Sequence, residues 1–563
     1  MNRMCRVLGM AMGLVASLGS VGAQMEQPTF DLVIYGGTSA GLSAAVQAKR
    51  MGLKKIVVLE PTTRIGGLTT GGLGQTDIGV KWAFGGIARE FYRGIRAYYN
   101  DPAHWKWQAK ADYKSKGQSQ TADHEDTMWT FEPSAALAVL EGWERRDGLD
   151  IRRGEWLDRE TGGVTMENGR ITAIRTLSGK VFRGRMFVDA TYEGDLMAAA
   201  GVSYAVGREA NAVYGETING VQSEWHPATF PKEWDNQIHV AVDPYVVPGD
   251  KTSGLIRGVE PESCEAANGT GDRRVQAYCF RVCMTDCEAN RIPFGKPASY
   301  DERNYEILFR MAEAGADLTL NNFAPMPNRK TDSNSRGGFS MDFIGANWNY
   351  PEASYAERER IVRAHLDYQR GLLWTLANHP RIPAATRAFY AKWGTCRDEF
   401  LDGLGEGWQR QLYVREARRM VGDYVMTEHD CRQTRKVPRP VALAAYGMDS
   451  HNVRRHIVDG KVRNEGDVQD HKFKRPYPVE YGSIVPKKAA CRNLFVPICV
   501  SASHIAYGSI RMEPVFFALG QVAGTAAAQA LSEGVAVQDV DYDQLSRRLK
   551  ADGQVFSCEK TNH

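Results

Sequence analysis

Two histidines towards the C-terminus have neighbours that suit proton transfer. His451 follows Asp449 by two residues, just after an apolar run typical of a strand. On a strand, alternation places both side chains on one face, where the carboxylate orients the imidazole. His504 lies in a polar segment after a second apolar run. Because imidazole titrates near neutral pH, we predict that these residues are catalytic and that a histidine accepts a substrate proton; the alternative is a histidine satisfied within a polar loop.

A glycine-rich turn near the N-terminus predicts a phosphate-binding site. It joins the strand-like run Leu32–Tyr35 to a helical segment, Leu42–Met51, and a second apolar strand then ends on Glu60. Amides and the dipole at a helix start suit a pyrophosphate, and an acid ending the second strand suits an adenosine ribose. The pattern predicts a dinucleotide site in a βαβ unit, the alternative being an ordinary crossover without a ligand. The turn consists of Gly36, Gly37, Thr38, Ser39, Ala40 and Gly41, with Thr38 where the usual pattern has its middle glycine.

Three further segments indicate which dinucleotide is bound. An R-x-G-G element, Arg64–Gly67, follows the ribose acid and resembles flavoproteins of the glutathione-reductase-like FAD fold. Phe187–Asp195 resembles the turn with which that fold approaches the cofactor again. Asn493–Val500 and the helix Pro514–Leu531 resemble its closing strand and flavin-side helix. From about residue 30 to residue 531 the chain is similar to the FAD-dependent oxidoreductase family of secreted and polysaccharide-associated bacteria, some members of which are labelled xanthan lyase.

The resemblance implies FAD as the cofactor and a set of residues that contact it. Besides the glycine turn and Glu60, the predicted cofactor-binding residues are Arg64, Gly66, Gly67, Leu68, Trp156, Ala190, Thr191, Gly194, Asp195, Ser501, Gly520, Gly524 and Thr525. It also implies that Asp449 and His451 belong to a substrate domain and that His504 lies near the flavin. Arg281, Tyr477 and Arg511 are predicted to bind substrate, since arginine can hold a carboxylate or a uronic acid.

These motifs predict an α/β fold class: a glutathione-reductase-like FAD-binding domain of Rossmann type with a β-meander, and an inserted α+β substrate domain. The predicted boundaries are 1–23 for a signal peptide, 30–206 and 493–535 for the FAD-binding domain, 207–492 for the inserted domain and 536–563 for a tail helix. Within the inserted domain we expect a strand at Val275–Met284 and helices at Ala356–Ala377 and Glu399–Glu428. A second nucleotide motif, as NAD(P)H would need, is not found in the sequence.

The N-terminus has the pattern of an export signal. Arg3 and Arg6 precede the apolar run Val7–Leu18, which ends near a small-residue cleavage pattern. A periplasmic or extracellular location is therefore predicted, the alternative for this run being a membrane anchor. No later segment is judged long and apolar enough to cross a membrane. A net charge of +3 gives no support for nucleic-acid binding.

The cysteine spacing bears on metals and disulfides. Cys279, Cys283 and Cys287 lack the spacing of a zinc site and have no histidine beside them, so no metal is expected. Removal of a signal containing Cys5 would leave nine cysteines, which cannot all pair within one chain. Disulfides are compatible with export, but the sequence does not define their connectivity.

The leading functional prediction is an exported FAD-dependent oxidoreductase. It would take hydride from a small polar substrate, such as a carbohydrate or a derivative, and pass electrons to oxygen, a quinone or another carrier. The first alternative is a periplasmic flavin-dependent reductase of an activated double bond. The second is an exported binding protein in which FAD is only structural.

Overall fold

A computed structural model describes residues 29–223, 236–261, 263–319, 323–470 and 475–558. The predicted signal peptide, residues 1–23, lies outside the described residues. The helices are α1 (Ser39–Arg50), α2 (Gly86–Tyr98), α3 (Pro133–Asp147), α4 (Asp195–Ala199), α5 (Asn211–Tyr214), α6 (Glu306–Glu313), α7 (Tyr355–Asn378), α8 (Ala384–Tyr390), α9 (Glu428–Cys431), α10 (His504–Ile510), α11 (Glu513–Glu533) and α12 (Tyr542–Ala551).

The strands form one large mixed sheet and several smaller sheets. They are β1 (Thr29–Tyr35), β2 (Ile56–Glu60), β3 (Asp150–Arg153), β4 (Val164–Glu167), β5 (Arg170–Arg175), β6 (Val181–Asp189), β7 (Tyr204–Ala205), β8 (Val282–Thr285), β9 (Arg291–Pro293), β10 (Pro325–Met326), β11 (Lys330–Ser333), β12 (Gly394–Cys396), β13 (Arg419–Met420), β14 (Pro440–Ala444), β15 (Met448–Ser450), β16 (Arg454–Val458), β17 (Lys461–Glu465), β18 (Val468–Asp470), β19 (Tyr477–Glu480) and β20 (Leu494–Phe495).

The large sheet carries the predicted βαβ unit at its centre. Its order is β3-β2-β1-β6-β5-β4, and β20 also pairs with β6. The strand β1 is parallel to both neighbours, so that Val33 lies opposite Val57 on one side and Phe187 on the other. These residues are fully buried, as expected for a parallel strand covered on both faces. The antiparallel β4, β5 and the start of β6 form the predicted meander, and the α/β fold class is confirmed.

The helix α11 packs directly on α1, behind the phosphate loop. A side chain at Gly520 would collide with the Ala40 carbonyl, and one at Gly524 would lie 2.5 Å from the Ala44 carbonyl. By length and composition α11 could cross a membrane, so the expectation that no later segment is long and apolar enough was wrong. Within the protein, however, 89% of its most apolar window is buried, because this helix forms the core against α1.

The central part of the chain contains the antiparallel sheet β10-β11-β8-β12-β9. It departs from the prediction in two places. Only Val282–Thr285 forms a strand within the predicted Val275–Met284. The predicted helix Glu399–Glu428 is wrong: apart from β13 and the start of α9, this segment is irregular. Phe400 and Glu406 adopt positive φ angles of 53° and 50°, and several glycines interrupt it, which together prevent a continuous helix.

Candidate active site and cofactor cavity

The phosphate loop has the tight geometry that a dinucleotide requires. Gly36 has a φ of 102°, and a Cβ there would lie 2.6 Å from the Ala190 carbonyl oxygen. A Cβ on Gly41 would collide with the Gly36 carbonyl. Thr38 stands where the usual pattern has its middle glycine. Its hydroxyl caps α1 by accepting from the Gly41 amide at 3.3 Å, and it donates to the Ala190 carbonyl at 2.8 Å. The loop is therefore fixed between α1 and the end of β6.

Glu60 ends β2 beside this loop. One of its carboxylate oxygens accepts a hydrogen bond of 2.8 Å from the Gly37 amide, and the other accepts from the amide and hydroxyl of Thr62. Burial raises the pKa of Glu60, and these hydrogen bonds oppose that effect. Since a carboxylate accepts about four hydrogen bonds, Glu60 retains capacity for a ribose hydroxyl.

An outer cavity opens over the loop and Glu60. Of the predicted cofactor-binding residues, Gly36, Thr38, Glu60, Arg64, Gly67, Trp156, Thr191 and Asp195 line it. Another part of the wall comes from residues between 350 and 412, which were not predicted as cofactor contacts. Its residues include Tyr350, Tyr355, Arg358, Phe400, Asp402 and residues 409–412. Sequence reasoning missed this wall because it lies far along the chain and lacks a nucleotide motif.

Asp195 is held at one side of the outer cavity by arginines. Arg358 donates to both of its oxygens at 2.6 and 2.9 Å, and Arg418 and Arg159 donate at 2.8 and 3.1 Å. Burial alone would raise the pKa of Asp195, but these guanidinium groups outweigh burial and hold it well below its usual range. The Asp195 carboxylate thus links α4 to α7 and to the segment before β13.

An inner cavity lies at the start of α11, and it shares Tyr192 with the outer cavity. The Tyr192 hydroxyl donates to Glu513 at 2.7 Å and accepts from the predicted contact residue Leu68 through its amide at 2.8 Å. Thr69 also donates to Glu513 at 2.6 Å. The other lining residues are Leu68, Leu73, Asp77, Tyr413, Val414, Arg415, Tyr507, Arg511, Met512, Glu513 and Phe516.

Three arginines surround the Tyr413 ring at this inner cavity. The guanidinium carbons of Arg281, Arg415 and Arg511 lie 5.6, 4.3 and 5.7 Å from the ring centre. Arg511 donates to the Tyr413 hydroxyl at 2.8 Å, and its buried Nε has no hydrogen-bond partner among the described residues. Arg281, which precedes β8, is not one of the described residues that line the inner cavity. These cations form one cluster, of which only Arg281 and Arg511 were predicted from the sequence, as separate residues.

Each of these arginines also faces a carboxylate. Asp332 accepts a bond of 2.8 Å from Arg281 Nε, and Asp342 accepts one of 2.9 Å from Arg415. Asp449 lies 3.6 Å from Arg511. The positive charge of the cluster is therefore compensated within the protein.

The predicted catalytic residue His451 has a different carboxylate partner from the one expected. Its Nδ1 lies 2.7 Å from Asp342, whereas its Nε2 lies 3.8 Å from Asp449. The reason is that β15 ends at Ser450, so His451 no longer alternates with Asp449 on a strand. Burial would raise the pKa of Asp342, but Arg415 and His451 hold it well below its usual range. His451 is not among the described residues that line the inner cavity.

His504 forms a second histidine–carboxylate pair. Its Nδ1 lies 2.7 Å from Glu416, which also accepts a bond of 2.9 Å from Gln276. The other end of Gln276 accepts a hydrogen bond of 3.0 Å from the His451 amide, so this glutamine joins the two histidine pairs. His504 begins α10 and is not among the described residues lining either cavity. Its position beside a cofactor stays a prediction.

The remaining predicted residues lie behind the cavities rather than on their walls. The Tyr477 hydroxyl donates to Ser509 at 2.7 Å, and Ser501 accepts from the Gly422 amide at 3.0 Å. Thr525 accepts from Gln47 on α1 at 3.0 Å, which makes it a packing residue together with Gly520 and Gly524. The other predicted cofactor-binding residues belong to the phosphate loop or to the segments next to it: Gly37, Ser39, Ala40, Gly41, Gly66, Ala190 and Gly194.

This arrangement fits FAD better than a mononucleotide. The outer cavity supplies a ribose acid and a glycine loop at a helix start, and the inner cavity extends the site along Tyr192 towards α11. Gly67, with a φ of 54°, has no room for a Cβ because the Tyr192 hydroxyl would lie 2.5 Å from it. The fold and site define a dinucleotide-binding enzyme of the glutathione-reductase-like class.

Comparison with known proteins identifies the family. The family model described as FAD dependent oxidoreductase matches residues 31–549, so the chain belongs to that family, and FAD is its cofactor. Solved structures match about a third of the chain. A flavin monooxygenase from Stenotrophomonas maltophilia is 19% identical over 32% of this chain and 41% of its own, with a TM-score of 0.19.

Two further matches have similar extents. An anhydrotetracycline hydroxylase from Streptomyces rimosus is 15% identical over 33% of this chain and 36% of its own, with a TM-score of 0.22. A bacillithiol disulfide reductase from Staphylococcus aureus is 17% identical over 36% and 44%, with a TM-score of 0.18. The chain thus spans less than half of the length of each of these three proteins.

Proposed function

We propose that this enzyme is exported and that it oxidises a small, hydroxyl-bearing substrate such as a carbohydrate or its derivative. Bound FAD would supply the hydride-accepting chemistry. The protein's part is to hold the substrate against the flavin at the end of the inner cavity formed by Asp77, Tyr413 and Arg511, and to remove the hydroxyl proton. Oxygen, a quinone or another carrier would then take the electrons.

The observation that carries the proposal is the connection between His451 and the inner cavity. Arg415 lines that cavity and shares the Asp342 carboxylate with His451. Asp449 lies between the His451 imidazole, at 3.8 Å, and Arg511, at 3.6 Å, which also lines the cavity. A base and its orienting carboxylate thus lie directly behind the cavity wall, one intervening group away from the proton of a bound CH–OH group.

The order of events at these residues follows from the chemistry. As the substrate carbon gives up a hydride, the hydroxyl proton moves towards His451, with Asp449 as the group between the imidazole and the cavity. Asp342 stabilises the resulting imidazolium through Nδ1. The substrate leaves as a carbonyl compound that has lost one hydride and one proton, which is two electrons and two protons in all.

Charge around the inner cavity favours a neutral substrate over an anionic one. Arg281, Arg415 and Arg511 face Asp332, Asp342 and Asp449. Asp77 adds a further carboxyl group on the cavity wall, and burial raises its pKa. An anion would be repelled by these acids. Hydroxyl groups can donate to Asp77 and accept from the Nε of Arg511, which has no hydrogen-bond partner among the described residues. This argues against the carboxylate-clamping role considered for Arg281.

Anaerobic titration of the yellow holoprotein tests the proposal. Neutral sugars and sugar alcohols are compared with uronic acids and amines, and bleaching of the flavin absorbance is recorded. Bleaching by a neutral hydroxylated compound supports the proposal. Failure to bleach, together with reoxidation of the chemically reduced protein by fumarate or an enone, would instead establish a reductase. If the flavin is neither bleached by these compounds nor reoxidised by fumarate or an enone, the protein is a binding protein.

Export is tested separately. The full chain is produced with its own N-terminal segment, the cells are fractionated, and the N-terminus of the mature protein is determined. Recovery outside the cytoplasm with cleavage near Ala23 supports export. Retention in the cytoplasm with an intact N-terminus overturns it without affecting the oxidoreductase assignment.

A further inference from the structure

Two buried cysteines lie in contact beneath the outer cavity. Cys283 is in β8 and Cys396 is in β12, and their sulfur atoms are 3.7 Å apart although 113 residues separate them. The antiparallel register pairs Thr395 with Met284, and the next pair in that register is Cys396 with Cys283. Opposed positions on neighbouring antiparallel strands bring side chains within the range that a disulfide needs.

The pair sits at the base of a segment that forms a wall of the FAD site. We name residues 397–412 the cavity loop; it follows β12 directly, and residues 400, 402, 403 and 409–412 line the outer cavity. Cys283, Cys396, Met326 and Phe400 form a small apolar cluster of their own, separate from the main core. The sulfur pair therefore packs directly against the first cavity-lining residue of the loop.

The cavity loop contains residues with unfavourable backbone angles and an exposed apolar side chain. Phe400 and Glu406 have positive φ angles, which cost free energy for residues with a side chain. Leu401 is 86% exposed, so little packing stabilises the tip. Among the described contacts, Asp402 pairs with Arg64 at 2.9 Å at the surface, and the start of the loop is held by ion pairs of the buried Lys330 with Asp398 and Glu399, at 2.9 and 2.8 Å. Surface ion pairs stabilise weakly, so a covalent link at Cys396 would reinforce the base of the loop, where these buried contacts already hold it.

We propose that Cys283 and Cys396 form a disulfide that anchors the cavity loop and slows the release of FAD. Formation is a thiol–disulfide exchange with an oxidised dithiol carrier or oxidised glutathione. One cysteine thiolate attacks the oxidant disulfide and releases one thiolate. The second cysteine then attacks the mixed disulfide and releases the other, and the two protons lost by the protein thiols go to the leaving groups. Both side chains are fully buried, so the exchange takes place before β8 and β12 pair.

Peptide mapping tests the bond itself. The chain, without residues 1–23, is produced in a bacterial host with an oxidising cytoplasm and in an ordinary reducing host, so that the result does not depend on export. Each protein is denatured in an alkylating reagent without reductant and digested. We expect a linked Cys283–Cys396 peptide only from the oxidising host. Cys499, whose sulfur lies 3.4 Å from the Thr191 and Tyr192 carbonyls, should be alkylated in both and serves as the control.

Release of FAD tests the consequence. The rise of free FAD fluorescence after dilution is compared for the oxidised and reduced forms of the same sequence, which avoids any substitution that disturbs folding. Release from the reduced form should be at least about threefold faster, because an unlinked loop opens more often. Cys283→Ser should behave as the reduced protein, and Cys431→Ser, which replaces another buried thiol, should behave as the oxidised one.

A second readout covers the case in which FAD is too firmly held to leave. Trypsin cleavage after Arg397 or Arg410 reports opening of the cavity loop directly and should be faster in the reduced form by a similar factor. Full alkylation of both cysteines in the oxidising host would overturn the disulfide. A linked peptide with equal release and equal cleavage in the two forms would overturn the anchoring role.

Discussion

Asp342 and His451 form a buried pair in which one carboxylate oxygen lies 2.7 Å from the imidazole Nδ1. The other oxygen accepts a hydrogen bond of 2.9 Å from Arg415, on the wall of the inner cavity. A single carboxylate therefore positions both the proposed base and a cation of the proposed substrate site. Its removal should affect chemistry and substrate binding together.

Asp342→Asn should slow flavin reduction by substrate about 100-fold, within the range for loss of general-base catalysis, while FAD stays bound. The amide leaves no negative charge to stabilise the imidazolium of His451. Stopped-flow reduction measures the rate, and the absorbance spectrum measures FAD content. His451→Ala should abolish reduction with retained FAD, and the exposed His124→Ala is the control. Unchanged reduction by His451→Ala would remove this histidine from the mechanism.

Gly41→Val should give a colourless protein. The first side-chain atom alone would collide with the Gly36 carbonyl, so the phosphate loop cannot keep its conformation. FAD content per chain after purification is the measurement. Gly142→Ala, in α3, is a matched control because no described atom lies within 4 Å of the added carbon; it should bind FAD normally. A yellow Gly41→Val protein would contradict the assignment of the loop.

Glu60→Gln should weaken FAD binding about 10- to 100-fold, the usual cost of losing a charged hydrogen-bond acceptor. Its carboxylate accepts from Gly37 as well as facing the outer cavity, so the substitution disturbs the loop and the ribose site together. Quenching of FAD fluorescence on titration with apoprotein gives the dissociation constant. Glu167→Gln, at the surface of the meander, should leave it unchanged. Equal constants for the two variants would exclude Glu60 as the ribose acid.

Asp195→Asn should lower the free energy of unfolding at pH 7 by about 3–5 kcal/mol, because three arginines would lose their buried partner. Burial opposes ionisation of Asp195, but the arginines hold its folded-state pKa below the unfolded value. Its stabilisation is therefore present above about pH 4 and is lost as pH falls further, where the difference between wild type and variant should shrink. Denaturant unfolding at several pH values measures this.

The control for that experiment is Asp158→Asn, which breaks a partly exposed pair with Arg175. It should cost less than about 1 kcal/mol, as surface ion pairs do. A difference between Asp195→Asn and wild type that stays constant down to pH 2 would contradict the linkage argument.

Asp467→Asn should stabilise the protein at neutral pH. Burial raises the pKa of Asp467 to about 6, with His451 opposing the shift. One of its oxygens accepts from Asn236 and Gln469, and the other has no hydrogen-bond partner among the described residues. Because the folded state binds the proton more tightly than the unfolded state, stability falls as pH rises from about 4 to about 6.

The amide cannot ionise and keeps the accepting oxygen, so the variant should lack this decline. Thermal unfolding from pH 4 to pH 8 is the measurement, with the exposed Asp423→Asn as the control. A wild-type melting temperature that rises over this interval, with the same rise in Asp467→Asn, would contradict the prediction.

The sequence by itself determined the cofactor-binding half of this protein. The residues of the glycine turn, Glu60 and the R-x-G-G element are close along the chain, and the local alternation of strand, turn and helix places them without distant contacts. The meander was predicted for the same reason, whereas α11 was expected from the resemblance to the flavin-side helix of the FAD fold. Even Thr38, which breaks the usual glycine pattern, acts locally as the cap of α1.

Only the tertiary structure brings together the residues of the proposed substrate site. The partner of His451 is Asp342, 109 residues away, rather than Asp449 nearby, and Arg281, Arg415 and Arg511 meet around Tyr413 from separate segments. The segment Glu399–Glu428 contains helix-forming residues yet is irregular, because glycines and the positive φ angles of Phe400 and Glu406 interrupt it. Such contacts depend on the path of the whole chain, which local periodicity does not encode.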